Sequence, residues 1–305
     1  MSSKHSMDTK AKSLRQRRAA RPPHAPLKKE IRAPRQIGLL VLGMHRSGTS
    51  ALTRTLNLLG AALPNELLGP SVNNPMGHWE STRLYELHNE LLQQIDTQWD
   101  GWLPIEEDWF HSPVAAFNAN KLAAFVTEEF TGKPLFVLKD PRLCRIAPLW
   151  RDVFEIAQAD LRVVIPFRNP IEVAASLELR NDMAPSNAML VWLRHVLDAE
   201  AASRGLPRSF VRYDALLEDW RGAIDRIGMQ LGLKWPRRTL AAERDIDAFL
   251  RPDQRHHATS DDAVKSRHDV PEWVTGAYDA ILRLADDPSS RVPGKARAVI
   301  MTEPV

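Results

Sequence analysis

Ile37-Gly-Leu-Leu-Val-Leu-Gly-Met-His-Arg-Ser-Gly-Thr-Ser-Ala-Leu52 reads as an apolar strand, a turn of small residues and the start of a helix. Unpaired backbone N–H groups at a helix start, helped by the helix dipole, attract anions, so this arrangement builds an oxyanion cradle. On the phosphate-loop spacing G-x-x-x-x-G-K-[ST], Gly43 and Gly48 fall in register and Ser50 holds the hydroxyl position, but Thr49 stands where the lysine belongs. That lysine covers β- and γ-phosphate charge, so a cradle without it suits a less charged anion. The cation here is Arg46, set back into the turn. Arg46, Gly48, Thr49 and Ser50 are the candidate anion-binding residues, with His45 and Ser47 beside them. The plainer reading is a tight connector, since small-residue turns are common. An arginine and three small polar residues would be an odd choice for one.

A chain of 305 residues, 44% hydrophobic and 26% charged, can bury one large core or two small ones, and one main domain is read here. Cys144 is the only cysteine, which excludes a disulfide framework or a cysteine-based zinc site and fits a reducing, cytoplasmic setting. No apolar run approaches the ~20 residues of a membrane span, and the opening residues lack the apolar stretch of a signal peptide. The net charge of +3 hides an asymmetry: residues 1–36 hold eleven Lys or Arg against Asp8 and Glu30, a tail of +9 on a remainder of −6. With four prolines and few large apolar side chains, 1–36 is expected to be a disordered basic tail. It is either a solvated leader or a contact for an anionic surface or polymer. The main domain is expected at 37–287, and 288–305 as a flexible C-terminal tail.

Beyond the tail, apolar runs alternate with helical patterns, which predicts an α/β fold of three layers, P-loop-like, with a central parallel sheet flanked by helices. The strands are read at Ile37–Gly43, Leu135–Lys139, Leu161–Phe167 and Ser209–Tyr213. Helices fall near Thr49–Ala61, Ser81–Ile95, Pro113–Phe130, Ala147–Ala157, Pro170–Arg180, Ser186–Ser203, Arg221–Leu231, Arg237–Leu250 and Pro271–Ala285, with a His- and Asp-rich loop between the last two. The stretch Ala62–His78 is too long for an ordinary strand–helix connection, and such loops are often functional.

A second cluster, Leu161-Arg-Val-Val-Ile-Pro-Phe-Arg-Asn-Pro-Ile-Glu-Val-Ala-Ala-Ser-Leu177, repeats the strand, turn and helix logic without glycine. Arg168 emerges at the carboxyl end of the strand, where ligands bind in open parallel sheets. Asn169 can cap the helix and Pro170 suits its first turn. Ser176 shares a helix face with Val173 and Arg180, so it either reaches a phosphate beside Arg168 or back-bonds within the helix. A third strand ends in Lys139-Asp-Pro-Arg142. Asp140 there mimics the magnesium-binding strand of P-loop kinases, or forms a strand-end salt bridge with Arg142.

The two elements, Gly-Met-His-Arg-Ser-Gly-Thr-Ser after the first strand and Phe-Arg-Asn-Pro with a serine eight residues past the arginine, resemble the two binding motifs of sulfotransferases. These enzymes use 3′-phosphoadenosine-5′-phosphosulfate (PAPS) and release 3′-phosphoadenosine-5′-phosphate (PAP). The resemblance covers about residues 37–235. It implies that the first turn, Arg46 and Gly48 to Ser50 foremost, holds the 5′-phosphosulfate, and that Arg168 and Ser176 hold the 3′-phosphate. It also accounts for the missing lysine, because this donor has no γ-phosphate. The arginine form of the turn is more similar to carbohydrate- and protein-modifying or bacterial members than to those acting on phenols and steroids. By the same resemblance Glu80, in Asn73-Asn-Pro-Met-Gly-His-Trp-Glu80, is the first choice for general base and His78 the second. Equally, Glu80 reads as an acidic residue favouring the next helix start. Lys139 would face the sulfuryl group and the leaving phosphate, Tyr213 the adenine unless it only fills the core, and Arg255 in Arg251–His257 is a weak candidate for a basic closing loop.

The mechanism implied by these assignments is in-line sulfuryl transfer to a hydroxyl or amine, with Glu80 as base, Arg46 and Lys139 stabilising the leaving phosphate, and no metal required. Two other readings stay open: a small-molecule kinase using Mg-ATP through Ser50 and Asp140, and a non-catalytic anion-binding scaffold. The acceptor, a small molecule or a carbohydrate, is expected to meet the loops Ala62–Trp79 and Trp99–Ser112. There Trp99, Trp102 and Trp109 either stack on a sugar or are buried.

Overall fold

In the computed structural model the described residues are 35–72, 74–251 and 259–287. Nearly all of the expected basic tail, the 288–305 tail, and Arg255 with most of its loop lie outside them. Four strands, β1 (Ile37–Val41), β2 (Leu135–Lys139), β3 (Asp160–Phe167) and β4 (Arg208–Arg212), form an all-parallel sheet in the order β2-β1-β3-β4. The chain therefore leaves β1 for the neighbour on one side and crosses to the other for β3. That reversal makes the carboxyl end of β1 a topological switch point, the crevice where parallel sheets bind ligands.

Strand alternation sorts the core into the two outer layers. Leu40, Leu138, Val163 and Ile165 face one apolar cluster, filled by α2 (Thr82–Gln94), α3 (Pro113–Phe130), α4 (Leu149–Ile156), α5 (Pro170–Asn181), α6 (Pro185–Ser203) and α11 (Glu272–Asp286). Leu39, Val41, Val137 and Val164 face the other, filled by α1 (Thr49–Leu58), α7 (Tyr213–Glu218), α8 (Trp220–Leu231) and α9 (Leu240–Phe249). This is the expected three-layer α/β arrangement. Among the described residues no helix is long and apolar enough to cross a membrane.

The departures from the sequence reading are local. β1 stops at Val41, although the Leu42 N–H still donates to the Val164 carbonyl at 3.0 Å. Tyr213 does not end a strand but begins α7, in whose first turn the Asp214 carboxylate accepts from the Ala215 N–H at 2.8 Å and from Arg212. The expected polar loop after α9 contains a further helix, α10 (Asp261–Ser266), whose cap is Ser260 and whose buried residue is Val264. α9 itself begins at Leu240 rather than Arg237, where Thr239 accepts from the Ala242 N–H.

Gly38 shows how tightly the central strand is held. A Cβ there would lie 2.3 Å from Phe154 Cε1 and 2.4 Å from Phe136 Cζ. Those rings belong to a stack, with Phe130 and Phe136 at 4.3 Å and Phe136 and Phe154 at 5.8 Å between centroids. Gly38→Ala is expected to destabilise the fold by about 1–3 kcal/mol through overpacking, read from urea unfolding. An unchanged midpoint would contradict this packing.

Candidate active site

Register decides which side chains meet. Val41 pairs with Lys139 on one side and with Val164 on the other, so the ends of β2 and β3 flank the turn after β1. That turn is tight enough to need glycine twice. At Gly43 a Cβ would lie 2.8 Å from the Pro166 carbonyl, and at Gly48, where φ is 82°, it would lie 2.1 Å from Tyr213 Cδ2. Arg46 also adopts a left-handed φ of 67°. The turn is thereby curled so that its guanidinium leans across to α5, where Arg46 Nε donates to Ser176 Oγ at 2.7 Å.

This contact joins the two sequence motifs. Arg168 Nη1 approaches the Arg46 carbonyl at 3.4 Å, its Nε pairs with Glu172 at 2.6 Å, and its guanidinium lies 5.3 Å from the Tyr213 ring centre. Asn169 caps α5 through the Ile171 N–H at 3.0 Å, as its position after the strand suggests. The Glu172 carboxylate also accepts from the Thr259 N–H at 2.8 Å. Burial, and after it the Arg168 charge, pull the Arg46 pKa down.

On the other flank Lys139 takes up the place that Thr49 leaves without a cation. Its Nζ donates to Ser50 Oγ at 3.1 Å, to the His78 carbonyl at 3.0 Å and to Glu80 Oε1 at 2.5 Å. The Ala62–His78 loop folds over the turn to allow this, with Asn74 Nδ2 donating to Ser50 Oγ at 3.3 Å. Burial raises the Glu80 pKa against the opposing pull of Lys139. The His78 ring bonds to Ser71 Oγ at 3.0 Å, and burial followed by Lys139 lowers its pKa. His45 stands edge-on to Trp99 at 4.6 Å; burial, then Arg180, hold it neutral, and its buried Nε2 has no partner among the described residues.

One cavity of about 510 Å³ collects these groups. His45, Arg46, Gly48, Thr49, Ser50, His78, Glu80, Lys139, Arg168, Ser176 and Tyr213 all line it. Ser47 does not. Its side chain is buried behind the turn, with a hydroxyl that has no partner among the described residues. None of the three tryptophans lines it either. Trp99 sits behind His45, Trp109 packs on Phe110, and Trp102 is exposed elsewhere. Asp140 is fully buried and turned away from Ser50. Burial alone would raise its pKa, but His88 at 2.8 Å and Arg142 at 3.0 Å hold it well below the usual carboxylate range. The strand-end salt bridge is therefore what forms, and the kinase reading loses its metal-side carboxylate.

Two lining cations escape the sequence reading. Arg180 lies one helical turn past Ser176, a spacing that could have revealed it. Arg251 opens the Arg251–His257 loop, in which the sequence points instead to Arg255. A third arginine, Arg145, acts from behind: wholly buried, it bonds Asp198 at 3.0 Å and the carbonyls of Gly101 and Leu103, pinning the loop that carries Trp99.

Residues 39–237 match the model of the Sulfotransferase family. The chain belongs to that family. It is similar to a sulfotransferase domain from the Synechococcus PCC 7002 olefin synthase, with 18% identity over 88% of this chain and 99% of that one and a TM-score of 0.43. Sulfotransferase STF9 from Mycobacterium avium gives 15% identity, coverage of 75% and 70%, and a TM-score of 0.43. Sulfotransferase STF1 from Mycobacterium tuberculosis gives 18%, 76% and 76%, and 0.40. No curated protein sequence matches the chain.

Breaking a buried ion pair from one side leaves the other charge stranded. Lys139→Met is expected to cost about 3 kcal/mol of stability, and the double variant Lys139→Met, Glu80→Gln to recover at least about half of it. Additive losses in denaturant unfolding would mean that the two groups are not coupled.

Proposed function

We propose that the protein transfers a sulfuryl group from PAPS to a hydroxyl of a small-molecule or carbohydrate acceptor, with the activity in residues 37–287. The observation that carries this reading is the Arg46–Ser176 contact at 2.7 Å, which merges two anion motifs 130 residues apart into one cavity. The residues present suit a donor with phosphate at both ends. The N–H groups at the start of α1 and the Lys139 ammonium suit its 5′ side, Arg168 and Ser176 its 3′-phosphate, and the Tyr213 ring its adenine. Arg46 stands between the two anions and serves both.

When bound, PAPS supplies an electrophilic sulfur joined to a leaving phosphate. Lys139, fixed by Ser50, the His78 carbonyl and Glu80, aims its charge at the oxygen where negative charge develops. Glu80 takes the proton of the attacking hydroxyl. Among the described residues only its Oε1 has a partner, which leaves Oε2 for the acceptor. The His78 ring is engaged with Ser71 and Asn74, so its contribution is the backbone carbonyl that orients Lys139.

Calorimetry tests the donor. PAP is expected to bind at least about tenfold tighter than AMP, an advantage lost in Arg168→Ala, because each charge-assisted contact is worth about 1.5–3 kcal/mol. PAP binding no tighter than AMP would sink the reading. The base is tested with labelled donor and a cell-envelope extract. Glu80→Gln is expected to abolish transfer, while His78→Asn retains it with an acid limb above the ordinary carboxylate value, since burial raises Glu80. Substantial transfer by Glu80→Gln would exclude it as base.

A further inference from the structure

Arg180 has no task in the donor scheme. It lies on α5 one turn beyond Ser176 and lines the same cavity as Glu80, His78 and His45. Its guanidinium stands 5.7 Å from the Trp99 ring centre, and among the described residues its only hydrogen bond is a local one to Asn181 Oδ1 at 2.5 Å. No carboxylate among the described residues forms an ion pair with it. Of the other arginines that line the cavity, Arg168 pairs with Glu172 and Arg46 donates to Ser176.

Such a placement is costly. Burial, and next the like charge of Arg46, bring Arg180 down to about 10, with Glu80 alone pulling the other way. The group is still charged at neutral pH, half-buried and without an ion-pair partner among the described residues, and an anion docked there would restore what it lost on leaving water. Behind it lies the Trp99 ring, and Arg145 holds the loop that carries Trp99. Beside Arg180, Leu179 is 84% exposed and Met76 46% exposed, and both line the cavity, so the mouth offers apolar surface next to that charge.

We propose that Arg180 is the acceptor-side anion contact, and that the acceptor carries a carboxylate or similar anionic group close to the hydroxyl that receives the sulfuryl group. This rests on the sulfotransferase reading and deepens it. The anion would lie against Arg180 with the apolar part of the acceptor on Leu179 and Met76, presenting the hydroxyl to Glu80. Specificity then comes from a guanidinium that stays poorly compensated when a neutral acceptor binds.

The test uses two aryl glycosides that differ only at one carbon, p-nitrophenyl β-D-glucuronide and p-nitrophenyl β-D-glucoside, with labelled PAPS and the full chain. The aryl group supplies apolar surface for Leu179 and Met76. Wild type is expected to favour the glucuronide by about tenfold or more in kcat/KM, through KM. Arg180→Ala should bring that ratio to within about threefold of unity and Arg180→Lys restore part of it, while PAP affinity by calorimetry stays within about threefold of wild type in both. Calorimetry also reports that the variants fold. No preference in wild type, including turnover of neither glycoside, overturns the proposal. So does a fall in kcat of equal size on both glycosides, which would make Arg180 a sulfuryl contact. A loss of PAP affinity of about tenfold or more would assign Arg180 to the donor. If PAP fails to bind wild type at all, the sulfotransferase reading itself has failed, which is a separate result.

Discussion

The register of β1 between β2 and β3 is the constraint on which the site depends. Val41 stands opposite both Lys139 and Val164, so one turn after β1 receives a lysine from one neighbour and, a few residues past the other pairing, an arginine. A slip of one residue in the β1–β2 pairing would turn the side chains of β2 to the opposite face. Lys139 would then point into a core layer, and the Ser50, His78 and Glu80 contacts could not form. β1 is buried and apolar on both faces, so close packing holds its register, as at Gly38, which leaves no room for a Cβ beside Phe136 and Phe154.

The cavity concentrates positive charge in a place only partly open to water. Arg46, Arg168, Arg180, Arg251 and Lys139 line it; Glu80 pairs with Lys139 and Glu172 with Arg168. Like charges held together under desolvation oppose the fold, and the shifts of Arg46 and Arg180 record that opposition. A multiply charged anion relieves it on binding. Such a ligand therefore stabilises the folded chain as well as occupying it. The arrangement also explains how a cradle can lack the lysine of the phosphate-loop spacing: Lys139 reaches the same hydroxyl, Ser50, from the adjacent strand.

Much of this is legible in the sequence because the relevant signals are periodic or local. All four strands stand where the apolar runs lie, and Asn169-Pro170 caps α5 as that dipeptide suggests. The rest is set by contacts that spacing does not encode. α10 is too short and polar for a periodic signal and rests on the Ser260 cap and the buried Val264. α7 is hidden because Tyr213 continues an apolar strand, and its first turn carries only the local bond from the Ala215 N–H to Asp214 Oδ1. The two fates of Asp140 are both readable, but the choice is made by His88, 52 residues away. Trp99 reads as a sugar platform until its packing against His45 places it behind the wall.

The central claim is that Arg46 and Arg168 serve one ligand rather than two. A crystal structure of the full chain with PAP tests it most directly. The 5′-phosphate is expected on the N–H groups of Gly48 to Ser50 beside Lys139, and the 3′-phosphate within hydrogen-bond reach of Arg168 and Ser176, with Arg46 between them. A nucleotide that engages only one of the two arginines, or that lies outside the cavity between them, would contradict the account.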